Sequence, residues 1–157
     1  MGGNDGLRVL VIDERTERRH LFRNLVESTG LAAADIAEAA GAAEALELFG
    51  AQDPDVVFVE IQPVSEGLET VLAVRHRSSA VRIVVCSFHR DPRTKEQALA
   101  QGADVYLDKP VSSYALTNVL LGFFPEASAV RDVSLADESA SLEPPVPMVP
   151  GPVGPPS

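Results

Sequence analysis

Residues 55–59 read DVVFV and are followed at once by Glu60. Four apolar residues in a row, three of them β-branched, describe a short strand buried on both faces. Three further stretches have the same character: Leu7–Ile12 (LRVLVI), Arg82–Cys86 (RIVVC) and Val105–Leu107 (VYL). Ile36–Ala39 is a weaker strand, because alanine is a poor strand former. Between the strands the apolar spacing turns helical. Thr16–Ser28 carries Leu21, Phe22, Leu25 and Val26 at helical spacing, and Gly30 follows as a stop. Ala42–Phe49 is expected as a second helix closed by Gly50. A loop through Pro63 and Gly67 leads to a third at Leu68–Arg75, and Thr94–Gln101 is a fourth, ended by Gly102. Ser112 or Ser113 caps a fifth that runs to about Leu121. Strands apolar on both faces, alternating with helices, predict an α/β fold: a doubly wound five-stranded parallel sheet.

Composition agrees with one folded domain and extra chain. The protein has 157 residues, 45% hydrophobic and 23% charged. No stretch approaches the ~20 apolar residues needed to cross a bilayer. The opening, MGGNDG before LRVLVI, reads neither as a secretory signal nor as a myristoylation site. Its glycines precede a strand rather than follow one, so they are not a phosphate-binding loop. A single cysteine, Cys86, allows no internal disulfide and suits the cytoplasm, the expected location. The net charge of −10 repels nucleic acid and anionic membrane, so direct DNA binding and membrane attachment are not expected. Residues 7–124 are read as the domain and 1–6 as a disordered opening. Residues 125–157 are read as a disordered tail in which seven of the last fourteen residues are proline. That tail reads as a solubilising segment or the remnant of a linker, with docking onto an aromatic groove as the sharper alternative.

In doubly wound sheets the site lies beyond the carboxyl ends of the strands. Here the first strand is followed by Asp13 and Glu14, the third by Glu60, the fourth by Ser87 and the fifth by Lys109 and Pro110. Carboxylates suit a hard cation such as Mg²⁺, an ammonium holds an anion, and a hydroxyl donates to one. Carboxylates gathered this closely should hold a cation or a proton unless Lys109 offsets them. Other residues have plainer readings. Cys86 is a packed core thiol. His20, His76 and His89 lack ligand spacing. Arg15, Arg18, Arg19 and Arg23 form an exposed basic face on the first helix.

The segments VLVIDE, DVVFVEIQP, VVCS and GADVYLDKP resemble the receiver domain of two-component response regulators over residues 7–121. The last segment is the most specific, and Lys109 stands 22 residues after Ser87, as in the family. The resemblance implies a flavodoxin-like, CheY-like sheet of order 2-1-3-4-5. It makes Asp13 and Glu14 the counterparts of the Mg²⁺-holding pair, and Glu60 the counterpart of the aspartate phosphorylated by a histidine kinase. Ser87 and Tyr106 correspond to the switch residues, Lys109 to the phosphoryl contact, and Pro110 to a proline often preceded by a cis bond.

The departures from that pattern matter. The phosphoacceptor position is glutamate, which adds about 1.3 Å of reach. A shift near 1 Å can cost about a hundredfold in a positioned reaction, so acyl phosphate formation at Glu60 is expected to be slow or absent. Glu14 replaces the usual second aspartate, and the loop to Pro63 is one residue short, so any Mg²⁺ site is expected to be weak or lost. Either Glu60 imitates the phosphorylated state, pairing with Lys109, hydrogen-bonding Ser87 and drawing Tyr106 inward, or the pocket is a relic. The imitation would be partial, since a phosphoryl group carries nearly twice the charge.

The expected function is therefore an atypical, stand-alone response regulator receiver that acts by protein–protein interaction rather than as an enzyme. Its partner would be a histidine kinase or a downstream regulator. The docking face would be formed by the fourth helix, fifth strand and fifth helix, about Thr94–Leu121, where a homodimer could also form. A conventional phosphoacceptor receiver in a phosphorelay is the first alternative. A flavodoxin-like small-molecule binder is the second, disfavoured because acidic residues follow the first strand where flavin phosphate would need a cradle.

Overall fold

A computed structural model describes residues 6–31 and 33–127 of the chain. Strands and helices alternate along it: β1 (Leu7–Ile12), α1 (Thr16–Ser28), β2 (Ala33–Ala39), α2 (Ala42–Ala51), β3 (Val56–Val59), α3 (Val64–Arg77), β4 (Arg82–Ser87), α4 (Pro92–Gln101), β5 (Val105–Asp108) and α5 (Ser113–Phe123). The strands pair in parallel in the order β2-β1-β3-β4-β5, the expected flavodoxin-like topology.

Successive strand residues point to opposite faces, and both faces are covered. Leu10, Ile12, Val57, Val59, Ile83 and Val85 pack with Phe49 of α2, Val71 and Val74 of α3 and Ala98 of α4. Val9, Val11, Val56, Phe58, Val84 and Cys86 pack on the other side with Val26 of α1 and Leu116 and Leu120 of α5. This two-sided burial is why the strand sequences show no polar alternation. No helix among the described residues is long and apolar enough to cross a membrane.

The element boundaries differ from the sequence reading in instructive ways. Gly50 does not close α2; it lies inside the helix, which runs on to Ala51. Helix α3 starts at Val64, four residues before the expected Leu68, so Gly67 is helical rather than a loop residue. A side chain at Gly67 would run into the backbone of Ile61, so glycine here permits close contact between α3 and the residue after Glu60. Helix α4 starts two residues early because Asp91 caps it, accepting from Arg93 N–H at 3.0 Å, with Pro92 in the first helical position. β2 begins three residues early, at Ala33, carried by pairing with β1 rather than by propensity. Ser112 is the cap of α5, accepting from Ala115 N–H. Ala127 is buried against the α1 and α5 side of the sheet, so ordered packing extends past 124. The expected disordered opening and Pro-rich tail otherwise fall on residues 1–5 and 128–157, outside the described residues.

Candidate functional site at the carboxyl edge of the sheet

Backbone hydrogen bonds continue the sheet by one residue at three of its strand ends. Asp13 N–H donates to Ala39 O at 3.1 Å, Glu60 N–H to Ile12 O at 3.0 Å, and Lys109 N–H to Ser87 O at 2.9 Å. These bonds fix Asp13, Glu60, Ser87 and Lys109 along one edge.

Lys109 Nζ donates to Glu60 Oε1 at 2.7 Å, a short charge-assisted contact. Their side chains are only 16% and 5% exposed, so the pair lies largely out of water. Glu60 Oε2 is buried without a hydrogen-bond partner. The expected bond from Ser87 to Glu60 is therefore not made. Ser87, fully buried, instead has its hydroxyl turned to the β4–α4 turn, where Oγ accepts from His89 N–H at 3.2 Å. Tyr106 does point inward. Its ring packs against the core and its hydroxyl donates to His89 O at 2.6 Å. Burial pushes the Tyr106 phenol above its ordinary pKa, and a contact with the Ser87 hydroxyl offsets only part of that. The peptide before Pro110 is cis, as the resemblance implied, and Pro110 itself is exposed.

Asp13 is 5% exposed and held by Arg18. Arg18 Nε lies 2.8 Å from Oδ2 and 3.0 Å from Oδ1, and Nη2 lies 2.9 Å from Oδ1. Arg15 N–H donates to the same Oδ1 at 2.9 Å. Hydrogen bonding to Asp13 raises the Arg18 pKa in spite of its burial, with Glu60 and Glu14 adding to the effect. The sequence reading of Arg18 as part of an exposed basic face is corrected here. Arg18 is the third residue of α1, and helical side chains lean toward the N-terminus, so it reaches back over the end of β1. The five-residue spacing from Asp13 was the available signal. Arg19 and Arg23 are also engaged, both holding Glu38 of β2; Arg15 remains exposed.

Glu14 is exposed and, with Asp13, Glu60, Glu66 and Glu69, borders a wider cleft of about 240 Å³. No group of three His, Cys, Asp or Glu side chains among the described residues is arranged to hold a metal ion. Mg²⁺ requires oxygen ligands, and the Asp13 oxygens are already committed to Arg18 and Arg15. The residues as placed do not fit the cation that the resemblance implied.

Two further cavities border the site. One of about 20 Å³ lies among Asp13, Arg18, Glu60 and Lys109, room for about one water. The other is an open apolar groove between Leu21, Phe22, Leu25, Phe88 and Val111. Cys86 lines the floor of the small cavity, and burial pushes its thiol up to about 12, as for an inert core cysteine.

Known proteins give the geometry its context. Residues 9–121 match the family model of the response regulator receiver domain. The chain is 30% identical over 104 residues to the chemotaxis protein CheY of Halobacterium salinarum, covering 66% of this chain and 84% of that one. It is 30% identical over 121 residues to the nitrate/nitrite response regulator protein NarL of Escherichia coli, but spans only 56% of NarL while 76% of this chain is matched. Among solved structures, chemotaxis protein CheY4 of Vibrio cholerae superposes with a TM-score of 0.65 at 25% identity, over 76% of this chain and 99% of that one. A response regulator of Burkholderia pseudomallei, solved with a phosphorylated aspartic acid and a calcium ion, superposes at 0.62 with 26% identity, over 87% of this chain and 75% of that one. The matched span contains Asp13, Glu60, Ser87, Tyr106 and Lys109, and the chain belongs to the response regulator receiver family.

Proposed function

We propose that this receiver is atypical: it signals by binding a protein partner without being phosphorylated, and Glu60 stands permanently where a phosphorylated aspartate would come and go. Receiver domains are the signalling modules of two-component systems, which sets the general role. The observation that carries the finer reading is the buried pair at 2.7 Å between Glu60 and Lys109. The lysine that would grip a phosphoryl oxygen already has its anion. Tyr106 is correspondingly turned inward, with its hydroxyl on His89 O. The match is incomplete, since Ser87 keeps its own turn contact and Glu60 carries one charge rather than nearly two.

Chemistry at Glu60 is disfavoured twice. The acceptor carboxylate is displaced by a methylene, and Asp13 is held by Arg18, with no three carboxylates among the described residues arranged for a metal. The output is therefore recognition. The α4–β5–α5 face supports this, because Leu99 of α4 and Tyr114 of α5 stand 47% and 77% exposed. Large apolar side chains left exposed on these two helices are available to a partner. The partner is a histidine kinase or a downstream regulator in the cytoplasm, or a second copy of the chain. The strongly acidic composition disfavours nucleic acid.

The test is incubation with acetyl phosphate and Mg²⁺ followed by intact-mass measurement. No phosphoryl gain is expected. A gain of one phosphoryl group that disappears in Glu60→Gln would restore the conventional phosphorelay reading.

A further inference from the structure

We propose that Arg18 is a built-in replacement for the divalent cation of the receiver site, which makes the charge balance of this edge independent of Mg²⁺. This goes beyond the reading of Glu60, since it concerns Asp13 and holds whether or not Glu60 imitates a modified residue.

The case starts with the capacity of one carboxylate. Asp13 offers about four lone-pair positions. Three contacts of 2.9–3.0 Å crowd Oδ1, from Arg18 Nε, Arg18 Nη2 and Arg15 N–H, and Arg18 Nε also reaches Oδ2 at 2.8 Å, which leaves one position, on Oδ2. A metal on that one position of Oδ2 would sit beside a guanidinium already bonded to both oxygens, on a carboxylate that is 5% exposed. The guanidinium keeps its charge at every accessible pH. Its field also reaches the other two carboxylates of the edge, for Glu60 and Glu14 both act on Arg18. A cation here would thus meet a resident positive charge on the very carboxylates it needs.

Space limits where an ion could sit. Mg²⁺ sheds water reluctantly and usually keeps several waters in a protein site. The cavity between Asp13, Arg18, Glu60 and Lys109 measures about 20 Å³, enough for about one water. That cavity has no room for a hydrated ion beside the two cationic side chains, whereas the wider cleft of about 240 Å³ on Asp13, Glu14 and Glu60 does, so in that cleft it is the Arg18 pair and its charge, not space, that oppose the ion. The buried Oε2 of Glu60, unpartnered at the edge of this cavity, fits a site that holds one solvent molecule instead. Finally, the replacement is tethered. A diffusible ion comes and goes with its concentration, whereas Arg18 is fixed by the first turn of α1.

The test is calorimetric titration of Mg²⁺ into the wild-type chain and into Arg18→Ala. The wild type should give no saturable binding at millimolar Mg²⁺. The variant exposes Asp13 and removes the competing charge, so it should bind at least about tenfold more tightly. Comparable binding by the two proteins, or a folded variant that gains no affinity, would overturn the proposal. Arg18→Ala leaves a buried carboxylate unpaired and could fail to fold. A second measurement therefore uses the unaltered chain: Mn²⁺ titrated into ¹⁵N-labelled protein. Amide signals of Asp13 and Glu60 should not broaden selectively, and broadening centred on Asp13 would refute the idea. Failure here would remove the metal argument from the reading of Glu60 but not its pair with Lys109, which the phosphodonor experiment tests separately.

Discussion

The two ends of the sheet use carboxylates differently. At the amino end, Asp55 and Asp104 each join two strands. Asp55, just before β3, accepts from Arg8 N–H of β1 at 2.8 Å and from the Arg8 guanidinium. Asp104, just before β5, accepts from Ile83 N–H of β4 at 2.8 Å and from Arg75 at 2.9 Å. Both side chains keep contact with water, at 30% and 27% exposed. At the carboxyl end, Asp13 and Glu60 are each 5% exposed and depend on the side chains of Arg18 and Lys109. Glu60 even leaves one buried oxygen without a partner. A half-exposed aspartate on a strand N–H is an economical stitch. A carboxylate pulled out of water to meet a buried ammonium is not, because desolvation offsets most of the attraction. The comparison teaches that the amino-end carboxylates serve strand register, whereas stability does not account for those at the carboxyl end.

The sharpest break in that comparison would come from Lys109→Met. It removes the ion-pair partner of Glu60 and leaves a buried charge uncompensated, so a loss of about 3–5 kcal/mol is expected. Urea denaturation measures it. Adding Glu60→Leu should restore most of that loss, because a buried pair exchanged for apolar side chains is often neutral in stability. A single variant that costs less than about 1 kcal/mol would place the pair in the class of ordinary surface contacts and remove the contrast between the two ends.

At the amino end the expected loss is smaller and has no signalling consequence. Arg75 donates to the carbonyls of Ser78, Ser79, Val81 and Gly102 and to Asp104, tying the end of α3 to the turns before β4 and β5. Arg75→Ala should cost about 2–3 kcal/mol, the range for lost charged hydrogen bonds. The chemical shifts of Tyr106 should stay unchanged, as measured by NMR. A shift of Tyr106 would mean that the two ends are coupled and that the division between them is false.

Legibility in the sequence followed the same division. The strands were readable because LRVLVI, DVVFV and RIVVC must be apolar on both faces of a covered sheet. The positions of Asp13, Glu60, Ser87 and Lys109 then followed from strand ends alone. Glycine was the least reliable sign. Gly50 looked like a stop and Gly67 like a loop, yet both are helical. In Gly67 the absent side chain serves contact with Ile61, a fact that only packing reveals. Arg18 was missed for a similar reason. Four arginines in and just before one helix look alike in sequence, and only the phase of α1, set by its start at Thr16, aims one of them at Asp13. Which hydroxyl contacts Ser87 and Tyr106 choose was likewise decided by the path of the β4–α4 turn through His89.

The smallest expected effect separates a third kind of carboxylate at the carboxyl end. Glu38, on β2, is 17% exposed and accepts from Arg19 Nε at 3.1 Å and Arg23 Nε at 3.0 Å. Burial alone would raise its pKa, but the hydrogen bonds from Arg23 and Arg19, aided by the charge of Arg23, carry it below the ordinary glutamate value. The folded chain therefore binds this proton more weakly than the unfolded chain does. Its contribution to stability is complete above the unfolded value, about 4.3, and is lost as pH falls through the depressed folded value. Glu38→Gln should accordingly cost of order 1 kcal/mol at neutral pH, as for a partly exposed ion-pair network. The gap between wild type and variant should stay constant from about pH 7 to about pH 5.5 and narrow below about pH 4. Denaturation across that range reads both quantities. A gap that widened on acidification would mean that Glu38 is held by burial rather than by its arginines. It would then belong with Glu60, and the carboxyl end would hold one more charge kept out of water for a reason other than stability.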